Sequence, residues 1–264
     1  MKAALILLWL LLIALMSSCR EVVQRPPNVV LIVADDLGWK DVGFMGSDYY
    51  ETPHLDQLAS EGMVFSQAYA SAANCAPSRA CLMSGMYATA HGVFTVGSPE
   101  RGDPRTRRII PARNADSLAH EFYTLAEAMK DRGYATVNIG KWHLGKDPRT
   151  QGMDANVGGS VWGHPGSYFA PYKKPDLKAP EGEYLTDRLT EEALSYIREN
   201  QEDPFFLYLP YYAVHTPIQA KPALEEKYRE KGGVNCQSNA AYAAMVENLD
   251  RCIGLLLKQV DDLG

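Results

Sequence analysis

The chain has 264 residues, 46% of them apolar and 22% charged, which supports one large core or two modest ones and excludes a disordered or fibrous class. A formal net charge of −6 leaves no basic surface for nucleic acid or for a polybasic contact with a membrane. An acidic chain can still take an anionic substrate, because the local field of a site decides that.

Residues 1–19 predict an export signal: Lys2 gives the positive start, residues 3–16 an apolar run, and Ser17-Ser18 the small residues before Cys19. The run is shorter than the roughly 20 apolar residues that a membrane span needs. The string Leu15-Met16-Ser17-Ser18-Cys19 resembles a bacterial lipobox, in which Cys19 would be acylated, and ordinary cleavage nearby is the alternative. The lipobox implies an exported bacterial lipoprotein, periplasmic or at the outer membrane and cell surface, that meets the membrane only through its lipid. Residues 20–27 then form a tether.

Residues 28–34 (Asn-Val-Val-Leu-Ile-Val-Ala) are a continuous apolar run, as expected of a strand buried on both faces of a parallel sheet, and they end in Asp35-Asp36. Thr52-Pro53 predicts a short helix, with Thr52 as N-cap, closing at Gly62. Residues 63–69 can form another strand. The run Asn74-Cys75-Ala76-Pro77-Ser78-Arg79 predicts a helix that starts close to Cys75 and stops at Gly85. The unpaired N–H groups there favour a thiolate or an anionic ligand, and Arg79 lies one turn on from Cys75.

Residues 97–120 carry five arginines without a period and read either as a solvated loop or as one facing the substrate. Thr124 and Glu127 form a capping box for a helix that ends at Gly133, and residues 134–139 follow as a strand leading to Gly140-Lys141-Trp142-His143. Residues 147–182 are too irregular to assign. A helix over 186–200, a strand over 205–209 leading to Val214-His215-Thr216-Pro217, and a helix over 240–260 complete the pattern. Strands alternating with helices predict one α/β domain over 28–264, with a mostly parallel central sheet flanked by helices.

Three polar clusters therefore follow three strands, at Asp35-Asp36, Lys141 with His143, and His215. In open parallel sheets such clusters share the carboxyl rim, where ligands bind. Two adjacent carboxylates suit a hard cation if the chain bends there, and are otherwise an ordinary polar loop. In an extended segment Lys141 and His143 share a side while Trp142 packs away from them. The residue after His215 is biased toward extended geometry by Pro217, which would hold the histidine on a stiff loop.

The string Cys75-x-Pro77-Ser78-Arg79 with Gly85, together with the Asp-Asp, Gly-Lys-Trp-His-Leu-Gly and His-Thr-Pro segments in that order, resembles the sulfatase family, most nearly its arylsulfatase-like branch. Ser84 stands where that pattern usually has threonine. The resemblance implies an alkaline phosphatase/sulfatase-like fold and hydrolysis of sulfate esters, of sulfated carbohydrate or aryl sulfate. It implies formylglycine made from Cys75 by a maturation enzyme, and calcium held by Asp35, Asp36 and an oxygen of converted Cys75. Arg79 would steady the hydrated aldehyde, Lys141 hold the sulfate, His143 assist breakdown of the sulfated hydrate, and His215 protonate the leaving alcohol. Phosphate or phosphonate ester hydrolysis, and a non-catalytic lipoprotein that binds sulfated glycans, are the alternative expectations.

With Cys19 lipidated and Cys75 converted, Cys81, Cys236 and Cys252 remain, which leaves room for one disulfide and one buried thiol. The resemblance also places a further strand ending in Asp-Asn, a lysine and a subdomain beyond the helix at 240–260. On that expectation residues 28–264 are a catalytic domain incomplete at its C-terminus, two metal ligands short, poorly stable and weakly active alone.

Overall fold

The structure is a computed structural model and describes residues 25–263, so the predicted export signal and lipobox lie outside the described residues. Four strands, β1 (Val29–Val33), β2 (Ala135–Ile139), β3 (Ala155–Val157) and β4 (Phe205–Pro210), form one parallel sheet in the order β1-β4-β2-β3. All six residues of β4 are buried, which explains its unbroken apolar sequence.

Alternation along the strands divides the core in two. Phe205, Leu207 and Leu209 of β4 pack with Val137 and Ile139 against α5 (Leu185–Glu199) and α7 (Ala240–Leu263). Phe206 and Tyr208 point to the opposite face, where Ala76, Ala80 and Met83 of α2 (Cys75–Ser84) and Ala126 of α4 (Leu125–Asp131) pack around Trp142. The sheet thus carries helices on both faces, as the sequence predicts.

The remaining helices are α1 (Pro53–Glu61), α3 (Ala88–His91) and α6 (Pro222–Lys231). The capping box of α4 is present, with Glu127 N–H donating to Thr124 Oγ1 at 3.2 Å and Thr124 N–H to Glu127 Oε2 at 2.7 Å. Thr52 stands at the N-cap of α1, but its hydroxyl does not cap the helix; it accepts from Gly43 N–H at 2.7 Å and donates to Asp56 at 3.0 Å.

Residues 63–69 do not form the expected strand. They lie in a loop in which Met63, Phe65 and Tyr69 are largely exposed, and no ladder among the described residues includes them. Among the described residues β1 pairs on one side only, with β4, and its five residues are half-buried where burial on both faces was expected, because it stands at the edge of the sheet. The helices α3 and α6 and the strand β3 were not predicted: α3 has only four residues, α6 buries only Tyr228, and β3 is a three-residue edge. None carries a hydrophobic period. The cysteine count leaves room for one disulfide; among the described residues Cys81, Cys236 and Cys252 are all free thiols, the first and last buried and Cys236 exposed.

Candidate active site

β1 delivers Asp35 into the rim of the sheet, where its backbone continues pairing: Asp35 N–H donates to Ala213 O at 2.8 Å and Val214 N–H donates to Asp35 O at 2.6 Å. The chain then turns through the left-handed region at Asp36 (φ +60°), so the two carboxylates part. Asp35 is buried and Asp36 faces solvent. The predicted bend is therefore present, and the two aspartates, both lining one cavity, differ in burial and in partners.

Asp35 lies between two cations. Arg79 Nη2 donates to its Oδ1 at 3.1 Å and Lys141 Nζ to its Oδ2 at 2.5 Å, and all three side chains are almost completely buried. Arg79 also donates from Nη1 to the backbone oxygen of Lys141 at 2.8 Å and to the hydroxyl of Tyr208 at 3.4 Å. Burial works against the charge on Arg79, but Tyr208 and Asp35 more than offset it, and its pKa lies above the ordinary value.

Lys141 is positioned by the end of β2. Its N–H donates to Pro210 O at 2.8 Å, directly after Gly140, whose φ of +122° and close approach to β4 leave no room for a side chain. A Cβ on Gly140 would stand 2.2 Å from Pro210 O. Trp142 packs into the core against Tyr208, as expected. His143 also takes a left-handed conformation (φ +63°), so the Lys141–His143 segment turns where an extended course was expected. Burial first, and then Lys141 and Arg79, push the imidazole of His143 down to about 4, which keeps it neutral at physiological pH.

His215 is held from several directions. Its Nδ1 lies 2.7 Å from Thr216 O, and because a carbonyl only accepts, Nδ1 carries a hydrogen. Nε2 is then the atom that can exchange a proton, and it lies 3.5 Å from Asp36 Oδ2. The hydroxyl of buried Tyr168 lies 2.7 Å from Tyr212 O and 2.9 Å from His215 O, fixing this loop from below.

Cys75 is the first residue of α2, at the helix start as expected, with Asn74 at the N-cap. It is partly exposed and lines a cavity of about 720 Å³ together with Asp35, Asp36, Asn74, Ser78 and Arg79. From the loops after β2 and β4, Lys141 reaches Asp35 and His215 reaches Asp36, while His143 lies within the field of Lys141 and Arg79. The structure thus brings all seven predicted residues to one rim. Tyr168, Tyr208, Gly163 and His164 also belong to it and carry no sequence pattern that marks them.

Calcium takes six to eight oxygen ligands. Among the described residues no group of three or more His, Cys, Asp or Glu side chains is placed to hold a metal ion, and both oxygens of Asp35 already accept from cations. These residues alone do not make a calcium site. Cys75 does fit conversion to an aldehyde, being an accessible thiol facing a cavity.

The fold and rim define an α/β protein whose candidate residues gather at the carboxyl ends of parallel strands, beside a helix start, where open parallel sheets take ligands. The chain belongs to the sulfatase family, whose model, described as Sulfatase, matches residues 27–264. It is 32% identical over 305 residues to a sulfatase of Formosa agariphila, covering 93% of this chain and 55% of that protein. It is 31% identical over 266 residues to the N-acetylgalactosamine-6-sulfatase of Rattus norvegicus, covering 91% of this chain and 48% of the relative. Among solved structures, Ps i-CgsB superposes with a TM-score of 0.73 at 31% identity, over 90% of this chain and 56% of that one. The chain spans about half the length of the curated relatives it matches.

Proposed function

We propose that the protein hydrolyses sulfate esters of saccharides, with Cys75 as the site of the nucleophile after oxidation to formylglycine. The observation that carries this reading is the hydrogen-bonded set Asp35–Arg79–Lys141 in a sulfatase-family chain, with Asp35 and Arg79 lining the same cavity as Cys75. A sulfate ester repels nucleophiles through its own negative oxygens, so cations fixed in a buried site are what such a reaction requires. Saccharide substrates are supported by the N-acetylgalactosamine-6-sulfatase relative and by the structure of Ps i-CgsB in complex with k-i-k-neocarrahexaose.

The formylglycine, once hydrated, would supply the attacking oxygen. Arg79, which lines the cavity with Cys75, offers fixed positive charge there, Lys141 adds a second cation behind it, and Asp35 sets where both stand. Neutral His143 can accept a proton, whereas His215, when protonated on both nitrogens with Nδ1 tied to Thr216, donates from Nε2 to the leaving oxygen and is left neutral. The family resemblance implies calcium held by Asp35, Asp36 and an oxygen of converted Cys75; because these residues alone do not make such a site, the reading assigns no step to the ion. Export and a lipid anchor on Cys19 would place the enzyme at the bacterial surface or in the periplasm, where sulfated glycans are met.

The test is sulfate release by the full-length protein made together with a formylglycine-generating enzyme, on aryl sulfates and sulfated monosaccharides, with phosphate and phosphonate esters in parallel. Peptide mass spectrometry establishes whether Cys75 is converted. Sulfate release that disappears in Cys75→Ala is expected. A converted protein that cleaves only phosphorus esters, or nothing, refutes the reading.

A further inference from the structure

The loop over residues 160–165, which follows β3, lies across both imidazoles of the site. Ser160 O accepts from His143 N–H at 2.8 Å. Gly163 faces the His143 ring so closely that a Cβ there would stand 2.5 Å from Cε1. The ring of His164 lies nearly parallel to that of His215, with 6.2 Å between centroids and 13° between planes.

His164 is exposed, and its own contacts leave one nitrogen available. Its Nδ1 lies 2.9 Å from Pro165 O and must carry the hydrogen, because that oxygen only accepts. In the neutral ring Nε2 is then a bare acceptor, with no partner among the described residues. His215 is arranged in the same way, Nδ1 tied to a backbone oxygen and Nε2 left for exchange. Two imidazoles thus stand side by side with matching tautomers.

We propose that His164 binds the alcohol portion of the ester, its Nε2 accepting a hydrogen bond from a saccharide hydroxyl next to the sulfated carbon. This rests on the reading of His215 as the group that serves the leaving oxygen. That oxygen must come within hydrogen-bond reach of His215 Nε2, and a neighbouring hydroxyl of the same sugar then falls toward the adjacent ring. His164 is in this view a substrate-binding residue that selects the leaving group and does not take part in bond breaking.

The test uses the full-length, matured protein with 4-nitrophenyl sulfate, a set of galactose monosulfates, and their deoxy counterparts that lack the neighbouring hydroxyl. His164→Ala should lower kcat/KM on the hydroxylated sugar roughly three- to tenfold, the worth of one neutral hydrogen bond. It should leave the deoxy sugar and the aryl sulfate within about twofold. His164→Gln, which keeps an acceptor, should recover part of the loss. An equal loss on all three substrates would show that His164 acts by holding His215 and overturns the proposal, as does no loss on any. A wild-type enzyme that cleaves the aryl sulfate but no saccharide overturns it too, while leaving sulfate-ester hydrolysis intact. Release from neither refutes the proposed function itself.

Discussion

Replacing Asp35 by Asn removes the one negative charge that faces two buried cations. Arg79 at 3.1 Å and Lys141 at 2.5 Å, both almost without solvent, interact with the carboxylate by about 5 and about 7 kcal/mol respectively at an effective dielectric near 20. Desolvation of the ions takes back much of this. The measured cost of breaking a buried pair by removing one partner is about 3–5 kcal/mol, because a charge is left uncompensated. Asparagine retains an oxygen that can accept from one cation, which places the expectation at the lower end, about 3 kcal/mol. In urea, with a slope of roughly 2–3 kcal/mol/M for a domain of this size, the midpoint should fall by about 1 M. Adding Lys141→Met removes one of the stranded charges and should restore part of that loss. Asp36→Asn, at an exposed position, should move the midpoint by no more than about 0.5 kcal/mol in equivalent free energy. If Asp35→Asn unfolds within about 1 kcal/mol of the unchanged chain, the carboxylate is not what holds these cations.

Three further outcomes follow from the same structure. Because His143 is held to about 4 in the folded state against an ordinary 6.5, the unfolded chain takes up its proton first as pH falls. Stability should therefore drop between those values by roughly 2–3 kcal/mol, and His143→Asn should flatten that slope in urea titrations at successive pH; parallel slopes would contradict it. Gly163→Ala should cut turnover about ten- to a hundredfold through displacement of the His143 ring, with the melting temperature nearly unchanged, and full activity would count against that contact. In the native protein iodoacetamide should label exposed Cys236 rapidly and leave Cys252, pushed up to about 12 by burial, untouched until denaturant is added, as peptide mapping would show.

The rim of the site was legible because β4 and β2 lie inside a parallel sheet and are buried along all or most of their length, and β1, at its edge, keeps an unbroken apolar run. Such strands are written as apolar runs, and the polar residues that end them stand out. The division of labour among those residues was not legible. Asp35 and Asp36 read as a pair, yet one positive φ sends them to different partners. Tyr208 reads as one more apolar position of a buried strand, and its hydroxyl gains meaning only from Arg79, 129 residues away in the chain. Gly163 and His164 sit in a Gly- and Pro-rich stretch with no period, so their contact with the two imidazoles depends wholly on tertiary placement. The strand expected over 63–69 failed for the opposite reason: an apolar composition was present, but nothing paired with it.

The left-handed turn at Asp36 also bears on how variants of this protein are to be interpreted. Two identical neighbouring letters occupy positions with opposite tolerance: a loss of activity at 35 is entangled with loss of the fold, whereas a loss at 36 can be assigned to chemistry. Position 36 is for that reason the cleaner probe of what the acidic pair does, and inherited or engineered changes at the two sites cannot be pooled as one class.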